Sequence, residues 1–210
     1  MSGRVTKVAL LIATLALPVG LYLFLRNFGE NQYQVPIIYE EGITDPLDGC
    51  PATHDAQLPD FSFTDAEQAK GNFSEHTGRI YVFSFMQNGC DPQGKVLNEV
   101  ARVANDFRDD LRVGVISMQI DASYAVESWL GLKSTYGLRA DNWNLWQVPD
   151  APSIVRCGFN LEIENCEAAQ QLVLLDGLLR IRGVYQAGDL EEVDRLITEL
   201  EILLLNEEDG

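Results

Sequence analysis

In most of the chain, short apolar runs alternate with segments of helical periodicity. Residues 79–86 are mostly β-branched and aromatic, which predicts a buried central strand, and residues 112–120 predict a second one. A shorter strand followed by a turn is predicted at residues 58–65. Residues 172–185 contain two apolar runs joined by Asp176-Gly177, a dipeptide typical of hairpin turns, and therefore predict an antiparallel hairpin.

Three further segments place apolar residues on one helix face. Asp91-Pro92, after the central strand, can cap and begin the first helix. The second is predicted at residues 123–136, with Gly137 as its C-cap. The third begins where Asp189 and Glu192 form a capping-box pattern. The predicted inward positions of the three helices, in order, are Val96, Leu97, Val100, Val103, Ala104 and Phe107; Val126, Trp129, Leu130 and Lys133; and Val193, Leu196, Ile197, Leu200 and Leu203.

The order of these elements predicts an α/β fold. A strand, a helix and a strand in succession imply a parallel crossover, and the hairpin followed by the last helix adds an antiparallel half. A βαβ unit joined to a ββα unit is the layout of a thioredoxin-like domain, which we place at residues 58–205. Residues 206–210 are predicted to form an acidic tail.

The N-terminal segment predicts a membrane anchor. Residues 8–25 are 18 uncharged residues, roughly 27 Å as a helix, which is just enough to cross a bilayer core. Arg4 and Lys7 precede this segment, so the positive-inside rule predicts a single-pass helix with its N-terminus in the cytoplasm. The alternative is a cleaved signal peptide, but no A-x-A site follows the apolar run.

We therefore expect residues 1–26 to be an anchor in the cytoplasmic membrane. The domain that follows would lie outside the cytoplasm, which is the periplasm in a Gram-negative organism. Residues 27–57, with scattered prolines and acidic residues, are predicted to be an extended acidic tether, although residues 35–39 have the composition of a short strand. The net charge of −17 excludes nucleic acid as a partner.

Cys90 lies between the end of the central strand and the start of the following helix. Amide groups of the first helical turn and the helix dipole favour an anion at such a point, so the sequence predicts a Cys90 thiolate with a depressed pKa. A thioredoxin-type fold carries its working cysteine at this junction. However, residues 91–94 contain no second cysteine.

The order and spacing of several segments resemble the Sco/SenC family. These segments are LPDFSFTD, the strand leading into Cys90, the strand that ends at Asp121, the helix SYAVESWLGLKSTYG and the region from residue 172 to 200. The resemblance implies a thioredoxin-fold, membrane-anchored copper protein of cytochrome c oxidase assembly. It also implies copper ligands from a C-x-x-x-C turn and a histidine before the hairpin.

At the positions that match the family's three copper ligands, this chain has only one residue that could bind copper. Cys90 matches the first cysteine, Gly94 stands at the second, and the histidine position falls near Ala168. His54 and His76 lie elsewhere. Asp121 matches an acidic residue beside the family's site, and we expect it to be a cap or a strand-end contact. Cys90 is therefore a remnant ligand, and no cofactor is expected.

The four cysteines predict disulfides in an oxidising compartment. Cys157 and Cys166 flank a segment long enough to turn back, so we predict that these two are joined. Cys50 and Cys90 would then pair with each other or remain free. A further alternative takes Cys166 as a substitute copper ligand beside Cys90.

Three functional hypotheses follow. The first is a protein without the usual copper site that serves as a binding or structural component of an envelope membrane complex, possible partners including a respiratory complex. The second is copper handling or redox maturation of cytochrome c oxidase through a modified site. The third is a thiol enzyme with Cys90 as its single working cysteine. Because fold does not carry function when the site is missing, we favour the first.

Overall fold

The computed structural model describes residues 3, 7, 14, 16–23, 34–91, 94–121, 126–138 and 142–208. It divides into residues 1–34 and a compact domain, Val35–Gly210. Residues 16–23 are helical, but no helix in the described part of the chain is long and apolar enough to cross a membrane. Half of the predicted anchor at residues 8–25 lies outside the described residues.

The described part of the domain contains seven strands and three long helices. The strands are β1 (Ser62–Asp65), β2 (Lys70–Asn72), β3 (Ile80–Met86), β4 (Val113–Gln119), β5 (Trp143–Gln147), β6 (Gln171–Leu175) and β7 (Ile181–Gln186). The helices are α1 (Lys95–Asp106), α2 (Val126–Tyr136) and α3 (Leu190–Glu208). Short helical turns occupy Phe73–His76, Ala151–Ser153, Ile154–Gly158, Glu164–Cys166 and Ala168–Gln170, of which Ile154–Gly158 is a π-helical turn.

The strands form one mixed sheet in the order β2-β1-β5-β4-β3-β6-β7. β3 and β4 are parallel, with Ile80 opposite Val113, which confirms the predicted crossover through α1. β6 is antiparallel to both β3 and β7, which confirms the hairpin. The βαβ and ββα halves are therefore both present, and they meet at β3 and β6.

The two faces of the sheet are covered by different parts of the chain. The three long helices pack on one face, where Val100, Trp129 and Leu196 are almost completely buried. The other face is covered by the segments around β1 and by residues 151–161, including Phe159. β3 is buried along its whole length because it lies in the middle of the sheet and is covered on both faces.

Two predicted helix details differ from the structure. Leu130, predicted to face the core from α2, is 52% exposed, whereas Lys133 is buried and its Nζ donates to Trp143 O at 2.7 Å. The ammonium group also lies 4.5 Å from the centre of the Trp129 ring. The last helix continues to Glu208, so residues 206–208 belong to α3 and not to a separate tail.

Residues 35–57 form part of the domain, in contrast to the extended tether predicted for residues 27–57. Ile38 N donates to Ile181 O at 3.0 Å, and the Arg182 guanidinium donates to the carbonyls of Val35 and Pro36. Leu47 N donates to Asn160 Oδ1 at 3.1 Å. The strand suggested at residues 35–39 does not form, since this segment is irregular and then turns. The backbone groups of residues 35–38 make hydrogen bonds to the domain but do not pair as a strand. Sequence periodicity does not predict hydrogen bonds of this kind.

Candidate functional site

The loop after β3 holds Cys90 in a fixed position. Cys90 N donates to Gln87 O at 3.2 Å, and Asn88 N donates to Asp121 Oδ2 at 3.0 Å. Asp121 follows β4, so this bond ties the loop to the neighbouring parallel strand and confirms Asp121 as a strand-end contact. Cys90 is only 8% exposed as a result.

The carboxylate of Asp91 accepts hydrogen bonds from amide groups at the start of α1, which were expected to stabilise a Cys90 thiolate. Asp91 Oδ1 accepts from Lys95 N at 2.8 Å, and Oδ2 accepts from Leu97 N at 3.0 Å. Asp91 therefore bonds amides of the first turn of α1, but the helix begins at Lys95 and its N-cap is Gly94, with a φ of +64°, and not Asp91 as predicted. Pro92, the predicted first helical residue, lies outside the described residues. Because these two amides bond a carboxylate, they are not available to the sulfur of Cys90.

Cys166 lies beside Cys90 and is bonded to it. The two residues form a disulfide with a Cα–Cα distance of 5.4 Å, although they are 76 positions apart in the sequence. Cys166 ends the helical turn Glu164–Cys166 and is partly exposed. One alternative from the sequence took Cys166 as a substitute copper ligand beside Cys90. That alternative therefore predicted correctly that the two residues lie close together. The hypothesis of Cys90 as a single working cysteine does not agree with the structure.

The turn that carries Cys166 has an unusual backbone. Asn165 and Cys166 have φ values of +52° and +66°, in the left-handed region. Asparagine adopts this region fairly readily, but cysteine does so rarely, since its Cβ crowds the backbone. Among the described cysteines, a positive φ is found at Cys166 and not at Cys50, Cys90 or Cys157. Backbone strain is therefore specific to the Cys166 end of the Cys90–Cys166 disulfide.

The second disulfide joins Cys50 to Cys157, with a Cα–Cα distance of 5.2 Å. The predicted pairing of Cys157 with Cys166 is therefore not the one in the structure. The segment between them does not turn back as a free loop, because Phe159 and Leu161 insert into the core. Cys157 is left beside residues 35–57 and Cys166 beside the end of β3. Proximity in the sequence did not decide the pairing.

The side chains at this site do not fit the copper ligand set that the resemblance implies. Gly94 has no side chain, and Ala168 offers a fully buried methyl group. Among the described residues, no group of three or more His, Cys, Asp or Glu side chains is arranged to hold a metal. Cys90 and Cys166 are the soft ligands present, and they are bonded to each other.

A small cavity lies beside the described part of the loop. It is bordered by residues that include Met86, Gln87, Asp91 and Ala169, and its volume of about 10 Å³ is close to that needed for a single water molecule, so this cavity has no room for a larger substrate.

A larger cavity, of about 280 Å³, lies near the start of β3 and was not found from the sequence. Its lining includes His76, Arg79 and Tyr81, and His76 Nδ1 lies 2.9 Å from the Tyr81 hydroxyl. Partial burial, together with the charge of Arg79, lowers the pKa of His76. Because Cys90 follows the opposite end of β3, about 23 Å away for seven residues, this histidine is not part of the disulfide site.

No protein-family model matches the chain, and no curated protein matches it significantly. Solved structures do resemble it. A SCO1/SenC family lipoprotein from Bacillus anthracis has 16% identity and a TM-score of 0.58, over 70% of this chain and 95% of that one. BsSco, a Sco-family protein described with a disulfide switch, has 13% identity and a TM-score of 0.58, over 70% and 92%.

The thioredoxin domain of a thiol-disulfide oxidoreductase from Bacteroides vulgatus is also similar, with 13% identity and a TM-score of 0.50, over 68% of this chain and 94% of that one. At these identities the likeness concerns the fold. The sheet order, the parallel β3-α1-β4 crossover and the likeness to these structures together show that the chain has a Sco-like thioredoxin fold.

Proposed function

We propose that this protein is a membrane-anchored, Sco-like thiol–disulfide protein that exchanges its Cys90–Cys166 disulfide with the thiols of a protein partner. The observation that carries the proposal is the position of this disulfide, directly after β3 and before α1. It occupies the junction at which a thioredoxin-type fold carries its working cysteine. A cysteine from another part of the chain replaces the second cysteine of the missing C-x-x-x-C turn.

The backbone around Cys166 supports a reactive rather than a structural disulfide. Strained disulfides are more easily reduced than relaxed ones. Cys50, Cys157 and Cys166 are all partly exposed, but of these three only Cys166 has a positive φ. We therefore assign the exchange reaction to Cys90–Cys166 and a structural role to Cys50–Cys157.

The proposed location is the outer side of the cytoplasmic membrane, with residues 8–25 as an uncleaved anchor. Arg4 and Lys7 on the N-terminal side support this orientation. Disulfides persist in oxidising compartments, so both bonds agree with a domain outside the cytoplasm. N-terminal sequencing of membrane-extracted protein tests the anchor. We expect the intact start, and a mature chain that begins after residue 20 would exclude it.

The proposed partner is a protein of a respiratory membrane complex. This proposal is based on the Sco-like fold, since BsSco is described as a member of a family of cytochrome c oxidase assembly proteins. No step through copper is proposed, because the described side chains do not supply a three-ligand site.

A redox titration followed by alkylation tests the proposed function. The full chain in detergent is equilibrated with buffers of decreasing potential and alkylated under acid quench, and each cysteine is mapped by mass spectrometry. We expect Cys90 and Cys166 to be alkylated together at potentials where Cys50 and Cys157 are still joined. Oxidation of a reduced dithiol peptide by the untreated protein should accompany this change.

The opposite order of reduction would contradict the proposal. If Cys90–Cys166 persists after Cys50–Cys157 has opened, and no peptide is oxidised, the disulfide is structural. The protein would then fit the hypothesis of a binding component without thiol chemistry.

A further inference from the structure

We infer that the partner's thiolate attacks Sγ of Cys166, so that the mixed disulfide forms on Cys166 while Cys90 leaves as the thiolate. This inference rests on the proposed function and assigns the two sulfurs different roles. It reverses the expectation from the sequence, in which Cys90, at the strand–helix junction, is the reactive cysteine.

Access to the two residues is unequal. Cys90 is 8% exposed and belongs to the loop that Asp121 ties to the end of β4. Cys166 is partly exposed, and its neighbours Glu164, Asn165 and Glu167 are all exposed. Thiol–disulfide exchange requires a direct approach to the sulfur that is attacked, and reactivity follows exposure. A macromolecular thiol therefore meets Cys166 first.

The backbones around the two sulfurs also suit different roles. Cys90 is held by the Gln87 carbonyl and belongs to a loop tied to the end of β4. Cys166 ends a short turn with two successive left-handed residues. Once the bond to Cys90 breaks, this turn can leave its strained conformation with the partner attached. Cys90 stays in place as the leaving thiolate.

The exchange balances without any further reactant. The partner's first thiolate forms a bond with Sγ of Cys166, and the electron pair of the Cys166–Cys90 bond leaves on Sγ of Cys90. The partner's second thiolate then attacks its own first sulfur and expels the thiolate of Cys166. The partner gains a disulfide and loses two electrons, which Cys90 and Cys166 hold as two thiols once protons from water are taken up.

The surroundings of Cys166 indicate the partner's chemistry. Glu164 and Glu167, two positions before and one position after Cys166 in the sequence, are exposed, and the whole protein carries a net charge of −17. An acidic surface attracts a basic partner and repels an acidic one, most strongly at low salt. The partner is therefore a protein dithiol with lysine or arginine beside the attacking cysteine.

Peptide mapping on the wild-type full chain locates the attacked sulfur. The oxidised protein in detergent is mixed briefly with a monothiol peptide that has lysines beside its cysteine, quenched with acid and treated with N-ethylmaleimide. We expect the peptide on Cys166 and maleimide on Cys90. The reverse pattern, observed at the earliest times, would overturn the inference while leaving the proposed function intact. No adduct on either cysteine would count against both.

Two single variants give an independent measurement. Cys90→Ser leaves Cys166 as a free thiol, and Cys166→Ser leaves Cys90. With an activated disulfide of the same peptide, the Cys166 thiol should react at least about tenfold faster, because the Cys90 thiol is less exposed. Equal rates, or a faster Cys90, would overturn the assignment. Retention of the Cys50–Cys157 bond in the mapped protein verifies that each variant is folded.

A charge-swapped peptide tests the partner's chemistry. Replacing the flanking lysines with glutamates should slow attack on Cys166 about threefold at low salt, as expected for exposed charge pairs. The difference should disappear in Glu164→Gln/Glu167→Gln and in high salt. Equal rates for the two peptides with the wild-type protein would overturn the assignment of a basic partner.

Discussion

The Asp176 carboxylate connects the β6–β7 turn to the chain that enters the domain. It accepts from Arg180 Nε at 2.9 Å and from Arg182 Nη1 at 2.8 Å, and Arg182 also donates to residues 35 and 36. Burial acts to raise the pKa of Asp176, but the hydrogen bonds from both arginines outweigh it, so the pKa lies below its usual value. The ionised form therefore stabilises the folded state.

We predict that Asp176→Asn lowers the free energy of unfolding by about 3 kcal/mol at neutral pH, since two buried charge-assisted bonds are weakened. The stabilisation that it removes is present above the unfolded pKa, about pH 4, and is lost as pH falls through the folded pKa. The difference in the free energy of unfolding between wild type and variant should therefore disappear at acid pH. Denaturant titrations across pH measure this.

Asp150→Asn is the matched control for this prediction, because it makes the same charge change at an exposed carboxylate. It should leave stability nearly unchanged. A gap for Asp176→Asn that stays constant down to pH 2 would show that the arginine contacts do not depend on ionisation.

Gly183 has no room for a side chain. A methyl group there would lie 1.9 Å from the Tyr185 hydroxyl, which donates to Glu199 Oε2 at 2.6 Å. We predict that Gly183→Ala forces Tyr185 from its buried position and costs about 1 to 3 kcal/mol. Thermal unfolding tests this against Gly188→Ala, where a methyl group meets no atom within 4 Å. Equal stabilities of the two variants would contradict the steric argument.

At the scale of one element, α1 depends on Asp91 for its first turn. Asp91→Ala leaves the amides of Lys95 and Leu97 without their carboxylate acceptor. We predict a loss of about 1 to 2 kcal/mol in the free energy of unfolding. Hydrogen exchange should show faster exchange at these amides, whereas Asp45→Ala, at an exposed position, should change neither quantity. Unchanged protection at Lys95 and Leu97 would mean that other groups cap the helix.

For the whole molecule, the Cys50–Cys157 disulfide holds residues 35–57 on the domain. It closes a loop of 107 residues, so Cys50→Ser/Cys157→Ser should cost about 3 to 5 kcal/mol in the free energy of unfolding. It should also make residues 35–57 more sensitive to proteases. Chemical denaturation and limited proteolysis with mass spectrometry measure the two effects.

Cys90→Ser/Cys166→Ser is the control for this prediction, because it opens a loop of similar length, 76 residues. Chain entropy alone would give nearly equal losses for the two double variants. We expect a smaller loss for Cys90→Ser/Cys166→Ser, since the left-handed backbone of Cys166 can then relax. A larger loss would identify Cys90–Cys166 as the main structural bond.

Local residue patterns were enough to predict the order and type of the main elements. β3, α1, β4 and the β6–β7 hairpin follow from periodicity and turn residues, which act over a few neighbouring positions. The same local signals located Cys90 after a buried strand and indicated that Asp91 bonds the start of the next helix, although its N-cap is Gly94. The thioredoxin-like fold could therefore be predicted from residue patterns.

The pairing of the cysteines and the position of residues 35–57 depend instead on contacts between distant parts of the chain. Phe159 and Leu161 enter the core between Cys157 and Cys166, so each cysteine faces a partner far away in the sequence. The amide groups at the start of α1 were likewise taken by Asp91 rather than by the sulfur of Cys90. The cysteine pairing and the partners of these amides depend on competition among long-range contacts. Periodicity carries no information about such contacts, because the local pattern around a residue is compatible with several partners.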